Sequence, residues 1–363
     1  MLHLATRLLA FATMATAIGL AAAQDAAEYE SIPAPETLAP SEPGTLPNTV
    51  VVDPQSMDGG YDAFAPIGAP PGVDMQQGSP WSFSNPFAGF EGGEDPYCPP
   101  SAYPGYEPPW SWQFVPDGLI YRSYLAGPRE SRMAAVWDYD TKRGRWVIDG
   151  ALGGRVGLLR FGNEDPLRPK GFQLDAEGAA FPRIDLQSQS WDLETADFRW
   201  GLPLTYGRGP WEYKLAYYHL SSHLGDEYMV SHPNVQRINF VRDAFVFGAA
   251  YRYREALRIY GEVGYLFHSD GGAKPWEFQF GAEYSQLAPT GLRGSPFFAI
   301  NAWLRQENNF GGTLTAQAGW QWRGYGSGHL LRFGGQYFVG QSVAFEFYKS
   351  YEQMLGIGLW YDY

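Results

Sequence analysis

Residues 276–284 read Trp-Glu-Phe-Gln-Phe-Gly-Ala-Glu-Tyr. Trp276, Phe278, Phe280, Ala282 and Tyr284 fall on one parity, and Glu277, Gln279, Gly281 and Glu283 on the other. A repeat of two residues makes a strand with one apolar and one wet face. The pattern recurs in 257–268, where Leu257, Ile259, Gly261, Val263, Tyr265 and Phe267 oppose Arg258, Tyr260, Glu262, Gly264, Leu266 and His268. It recurs again in 313–323, with Leu314, Ala316, Ala318, Trp320 and Trp322 on the apolar side.

Such runs of about 11 residues match the length a tilted strand needs to cross the hydrocarbon layer. Aromatic residues gather near their ends, as girdles at a membrane interface do. Asp270-Gly271-Gly272, Asn309-Phe310-Gly311-Gly312 and Gly324-Tyr325-Gly326-Ser327-Gly328 supply the turns between them. Counting from Ser131 gives about twelve strands. The expected fold is therefore all-β: a transmembrane antiparallel β-barrel over residues 113–363, with a hydrated, charged lumen. A soluble sandwich would have to pack the Trp and Tyr rows against each other, which fits poorly.

Residues 1–23 carry Arg7, a mostly apolar run from Leu8 to Leu20 and the Ala21-Ala22-Ala23 site, the pattern of a cleaved signal peptide. Residues 24–112 hold 17 of the 28 prolines. Between Asp25 and Asp117 there are fourteen Asp or Glu and no Lys or Arg. Such a Pro/Gly-rich acidic segment is expected to be disordered, because it buries too little apolar surface to offset its ordering entropy. The remainder is balanced, with twenty-five residues of each sign from Gly118 onward, so no basic footprint for nucleic acid exists. Cys98 is the only cysteine, which excludes an internal disulfide. The mean hydropathy of −0.31, with no second apolar run near 20 residues, argues against helical spans.

The chain closes with Leu355, Ile357, Leu359, Tyr361 and Tyr363 on one face. Alternation ending on an aromatic resembles the C-terminal signal of bacterial outer-membrane proteins, whose last residue is usually Phe or Trp. That resemblance implies the outer membrane as location and the barrel-assembly machinery as a partner through Tyr363.

No Walker loop, nucleophile elbow, dinucleotide fingerprint or paired zinc motif is present. The stretch that carries chemistry is Tyr217-Tyr218-His219-Leu220-Ser221-Ser222-His223-Leu224-Gly225-Asp226-Glu227. Trp211, Tyr213, Leu215, Tyr217, His219, Ser221 and His223 share the apolar parity, so His219 and Ser221 should face lipid near the interface. Partnerless polar groups there are costly. Two residues along a strand is roughly 7 Å between α-carbons, within reach of an imidazole acting as base on a hydroxyl. If the following loop centres near residue 231, Asp243 lies opposite His219 and would orient it. Asn239 is the fallback and Glu227 a third candidate. Water, phosphates or loop backbone at the strand's exit could equally satisfy the same groups.

His219-x-Ser221 on an outward strand resembles outer membrane phospholipase A and the lipid A deacylases. The resemblance implies His219 as base, Ser221 as nucleophile and membrane lipids as substrate; here Ser222-His223 follow, where the phospholipase has Asn-Gly. The region from about Asp117 to Tyr363, including Tyr121 to Arg132, also resembles an uncharacterised family of bacterial outer-membrane barrels, which implies fold and location only. His219 and His223 lie roughly 13 Å apart on a strand, too far to share an ion. Asp226 and Glu227 are the candidate calcium ligands, although a solvated acidic loop explains them as well; no other cofactor is expected. Arg252, Arg254 and Arg258 flank a turn and are candidates for lipid phosphates. The alternative to a lipid esterase is a structural or narrow pore-forming barrel, and the filling of the lumen discriminates between pore and plug.

Overall fold

The computed structural model describes residues 110–363, apart from 189 and 326. The signal peptide, residues 24–109 of the acidic segment and Cys98 lie outside the described residues. The chain forms β1 (Ser111–Phe114), β2 (Met133–Asp140), β3 (Arg145–Gly162), β4 (Gly171–Asp185), β5 (Leu193–Arg208) and β6 (Trp211–Leu224). A short helix α1 (Asp226–Ser231) follows. Then come β7 (Val241–Tyr253), β8 (Leu257–Asp270), β9 (Trp276–Tyr284), β10 (Ser295–Arg305), β11 (Gly312–Arg323), β12 (Leu330–Gln341) and β13 (Tyr351–Asp362).

Strands β2 to β13 pair antiparallel in sequence order, and β13 returns to β2, with Tyr361 opposite Met133 and Met354 opposite Asp140. The ring is thus a closed twelve-stranded barrel with no free edge. The extra strand β1 pairs with the end of β3 that β2 leaves uncovered, Ser111 opposite Gly162. One rim holds the start of β2 and the end of β13; the other carries the β6–β7 connection with α1.

The side chains point as the alternation predicts. Leu355 is 60%, Ile357 55% and Phe245 54% exposed, a surface that a sandwich would bury and a membrane barrel presents to lipid. Aromatic pairs mark both rims: Phe172–Tyr206 and Trp211–Tyr251 at the terminal rim, Tyr139–Trp146 and Tyr265–Trp276 at the other.

The inner face departs from the expected hydrated lumen. It is packed with ion pairs that bridge the walls. Arg183 bonds Asp149 at 2.7 Å and Glu352 at 2.6 Å, and Arg242 bonds Glu277 and Glu307, each at 2.7 Å. Arg258 is fully buried between Glu212 and Glu283, and Arg252 pairs with Glu212, so neither reaches lipid phosphate. Arg254 lies in the β7–β8 turn against the Tyr253 ring.

Residues 115–132 form no strand, although the alternating reading starts near residue 113. Pro116, Gly118 (φ +75°) and Pro128 break the ladder. The segment instead runs inside the barrel, where wall side chains replace the missing ladder bonds. Arg160 donates to the carbonyls of Asp117 and Gly118, Arg199 to that of Arg129, and Glu283 accepts the Leu125 amide. Tyr124 stacks on Tyr260 at 3.8 Å and donates to Glu262. A cavity of about 50 Å³ beside Arg129, Asp138 and Arg183 has room for only a few water molecules.

Candidate active site

Strand β6 sorts its side chains by parity. Lys214, Ala216, Tyr218 and Leu220 are buried in the lumen, while Trp211 and Leu215 are exposed outside. Tyr217, His219, Ser221 and His223 continue the outward row toward the α1 rim. This is the rim opposite the one that holds the start of β2 and the end of β13.

The register of β6 and β7 places His219 directly opposite Asp243. His219 Nδ1 lies 2.9 Å from Asp243 Oδ1. An ionised carboxylate only accepts, so Nδ1 carries a hydrogen, and in the neutral ring Nε2 is then the basic nitrogen. Tyr217 donates to the same oxygen at 2.7 Å. His268 Nδ1 reaches the other oxygen, Oδ2, at 2.9 Å. Trp200, opposite His219 on β5, and the stacked Phe245 and Phe267 rings form the apolar surround.

Alternation alone misses His268, because it assigns that residue to the lumen parity. A β-bulge explains the difference: Asp243 pairs with His268 but Ala244 pairs with Leu266, leaving Phe267 as the extra residue. One inserted residue shifts everything beyond it to the other face. Tyr217 also has a polar role that its aromatic character hides. The turn sequence after His268, Asp270-Gly271-Gly272, is the available hint of irregular pairing.

Ser221 sits between Phe198 and Val241 across its two neighbouring strands and is 5% exposed. It shares the outward row with His219, two residues on, and its hydroxyl makes no hydrogen bond among the described residues, to His219 or to any other group. Asn239 is placed away from the cluster: it precedes β7 in a left-handed turn with φ 49° and is exposed. Glu227 and Asp226 open helix α1 with exposed side chains, where their charge complements the helix N-terminus. Among the described residues, no group of three or more His, Cys, Asp or Glu is placed to hold a metal ion, so Asp226 and Glu227 have no third ligand of those types beside them. His223 turns to Arg237, Nδ1 to Nη2 at 2.5 Å.

Residues 109–363 match the family described as "Protein of unknown function (DUF1207)". Comparison with the curated proteins finds no match. Among solved structures, outer membrane phospholipase A from Escherichia coli is 12% identical, covering 64% of this chain and 92% of that one with a TM-score of 0.42. An active-site mutant of the same protein at pH 6.1 gives 12% identity, 65% and 91% coverage and a TM-score of 0.43. A mutant porin from Rh. blastica is 10% identical, covering 64% of this chain and 98% of that one at a TM-score of 0.28.

Proposed function

The chain belongs to this family of unknown function, DUF1207, and we propose that this member is an outer-membrane serine esterase acting on the acyl chains of membrane lipids. Ser221 is the nucleophile, His219 the general base and Asp243 the orienting acid. The observation that carries the reading is the 2.9 Å contact between His219 and Asp243 on the outer wall, two residues from Ser221. A carboxylate that fixes the hydrogen on Nδ1 leaves Nε2 to take the Ser221 proton as the hydroxyl oxygen attacks an ester carbonyl. The oxygen–acyl bond forms, the alcohol leaves with that proton, and water then releases the fatty acid by the reverse path. The outward placement supports the substrate class: an acyl chain lying along exposed Leu215, Phe245 and Phe247 brings its ester to the row at His219.

The test is release of fatty acid from phospholipid or lipopolysaccharide vesicles by the refolded full chain and by Ser221→Ala. Release by wild type alone supports the assignment, and equal behaviour of the two removes it. The low exposure of Ser221 favours a second reading, in which the Asp243 hub only staples β6, β7 and β8 at the rim of a structural barrel. The packed lumen speaks against an open pore.

A further inference from the structure

Asp243 receives three donors on two oxygens, and His219 is only one of them. Tyr217 Oη and His219 Nδ1 share Oδ1, while His268 Nδ1 holds Oδ2. A carboxylate bound through one oxygen can swing about its side-chain torsions; one tied through both cannot. The second tie exists only because the Phe267 bulge turns His268 outward. Bulges recur beside functional sites, where they re-aim a side chain.

The geometry points to Tyr217 and His268 as positioning residues for the proposed esterase, which hold Asp243 so that neutral His219 stays in the Nδ1–H form with Nε2 as its basic nitrogen. The inference rests on the esterase reading for its purpose, but not for its physical content. Tyr217 packs on Trp200 at 5.2 Å, which fixes the ring that aims the hydroxyl. His268 is largely exposed, so its imidazole is held by Asp243 rather than by packing. Neither side chain needs to touch substrate.

The experiment uses the full chain refolded in detergent micelles with ¹⁵N-labelled histidine. Nitrogen shifts report the tautomer of neutral His219 in wild type, Tyr217→Phe, His268→Ala and His268→Gln, without any substrate. The expected result is an Nδ1–H form in wild type and a mixture of tautomers in Tyr217→Phe and His268→Ala. Gln at 268 keeps a donor and should restore the wild-type pattern. In the vesicle assay the same two damaging variants should lose about tenfold in kcat with KM unchanged, the size expected of one hydrogen bond to a charged group. If all variants keep the pure Nδ1–H form, Tyr217 and His268 do not position His219 and the inference falls. If wild type hydrolyses nothing while the tautomers respond as described, the positioning stands and the esterase reading falls.

Discussion

His219 and Asp243 are directly opposed across β6 and β7, and their side chains meet on the lipid-facing side, Nδ1 to Oδ1, at 2.9 Å. A His–carboxylate pair on a membrane-facing wall is expensive unless both partners are satisfied. Here the carboxylate is satisfied three times over, through Tyr217, His219 and His268.

Asp243→Ala should abolish that arrangement. We expect vesicle hydrolysis to drop on the order of 10³–10⁴-fold, as when the acid of a catalytic triad is lost. Ser221→Ala should remove activity without lowering thermal stability. Asp243→Ala should also cost about 1–3 kcal/mol in urea unfolding, since three donors lose their acceptor.

Arg183 sits inside the barrel between Asp149 and Glu352. Arg183→Ala takes the cation from Asp149 and leaves Glu352 only the longer 3.5 Å contact with Arg143. Breaking such a buried network costs about 3–5 kcal/mol. Equilibrium unfolding of the refolded barrel checks this, and a change below about 1 kcal/mol would mean that water reaches the lumen freely.

Ile357 lies midway along β13 on the outer face and is 55% exposed. Ile357→Lys should weaken folding into lipid vesicles by about 2–4 kcal/mol, the cost of a basic residue at the bilayer midplane. Ile357→Val should be nearly silent. On a wall that faced water the exposed Lys would be harmless, so the pair of variants tells a lipid-facing wall from a water-facing one.

The lumen carries residues 115–132 and a lattice of ion pairs, so wild-type protein in planar bilayers should show no steady conductance. A stable open channel would contradict the packing of Tyr124 on Tyr260 and the capture of the Asp117 and Gly118 carbonyls by Arg160.

The barrel was legible because parity is a local property. Trp276, Phe278 and Phe280 reveal their outward face without knowledge of any partner strand, and the count near twelve follows from turns between such runs. The opposition of His219 and Asp243 was legible from loop length alone. Residues 115–132 were not, because a chain inside a barrel has no period of its own; many of its bonds go to wall side chains far away in sequence, among them Arg160, Arg199 and Glu283. His268 was hidden for another reason. A bulge is a two-strand event, and one strand's sequence does not show where its neighbour slips by a residue. Asn239, the fallback orienting group, stays out of the cluster because β7 begins two residues later, after a left-handed turn at Asn239 itself.

The most direct test of the account is covalent capture of Ser221. Refolded protein is treated with a fluorophosphonate carrying an alkyl chain, and the adduct is mapped by peptide mass spectrometry. The account predicts one adduct, on Ser221, formed by wild type and lost in His219→Ala. An unlabelled Ser221, or equal labelling with and without His219, would contradict it.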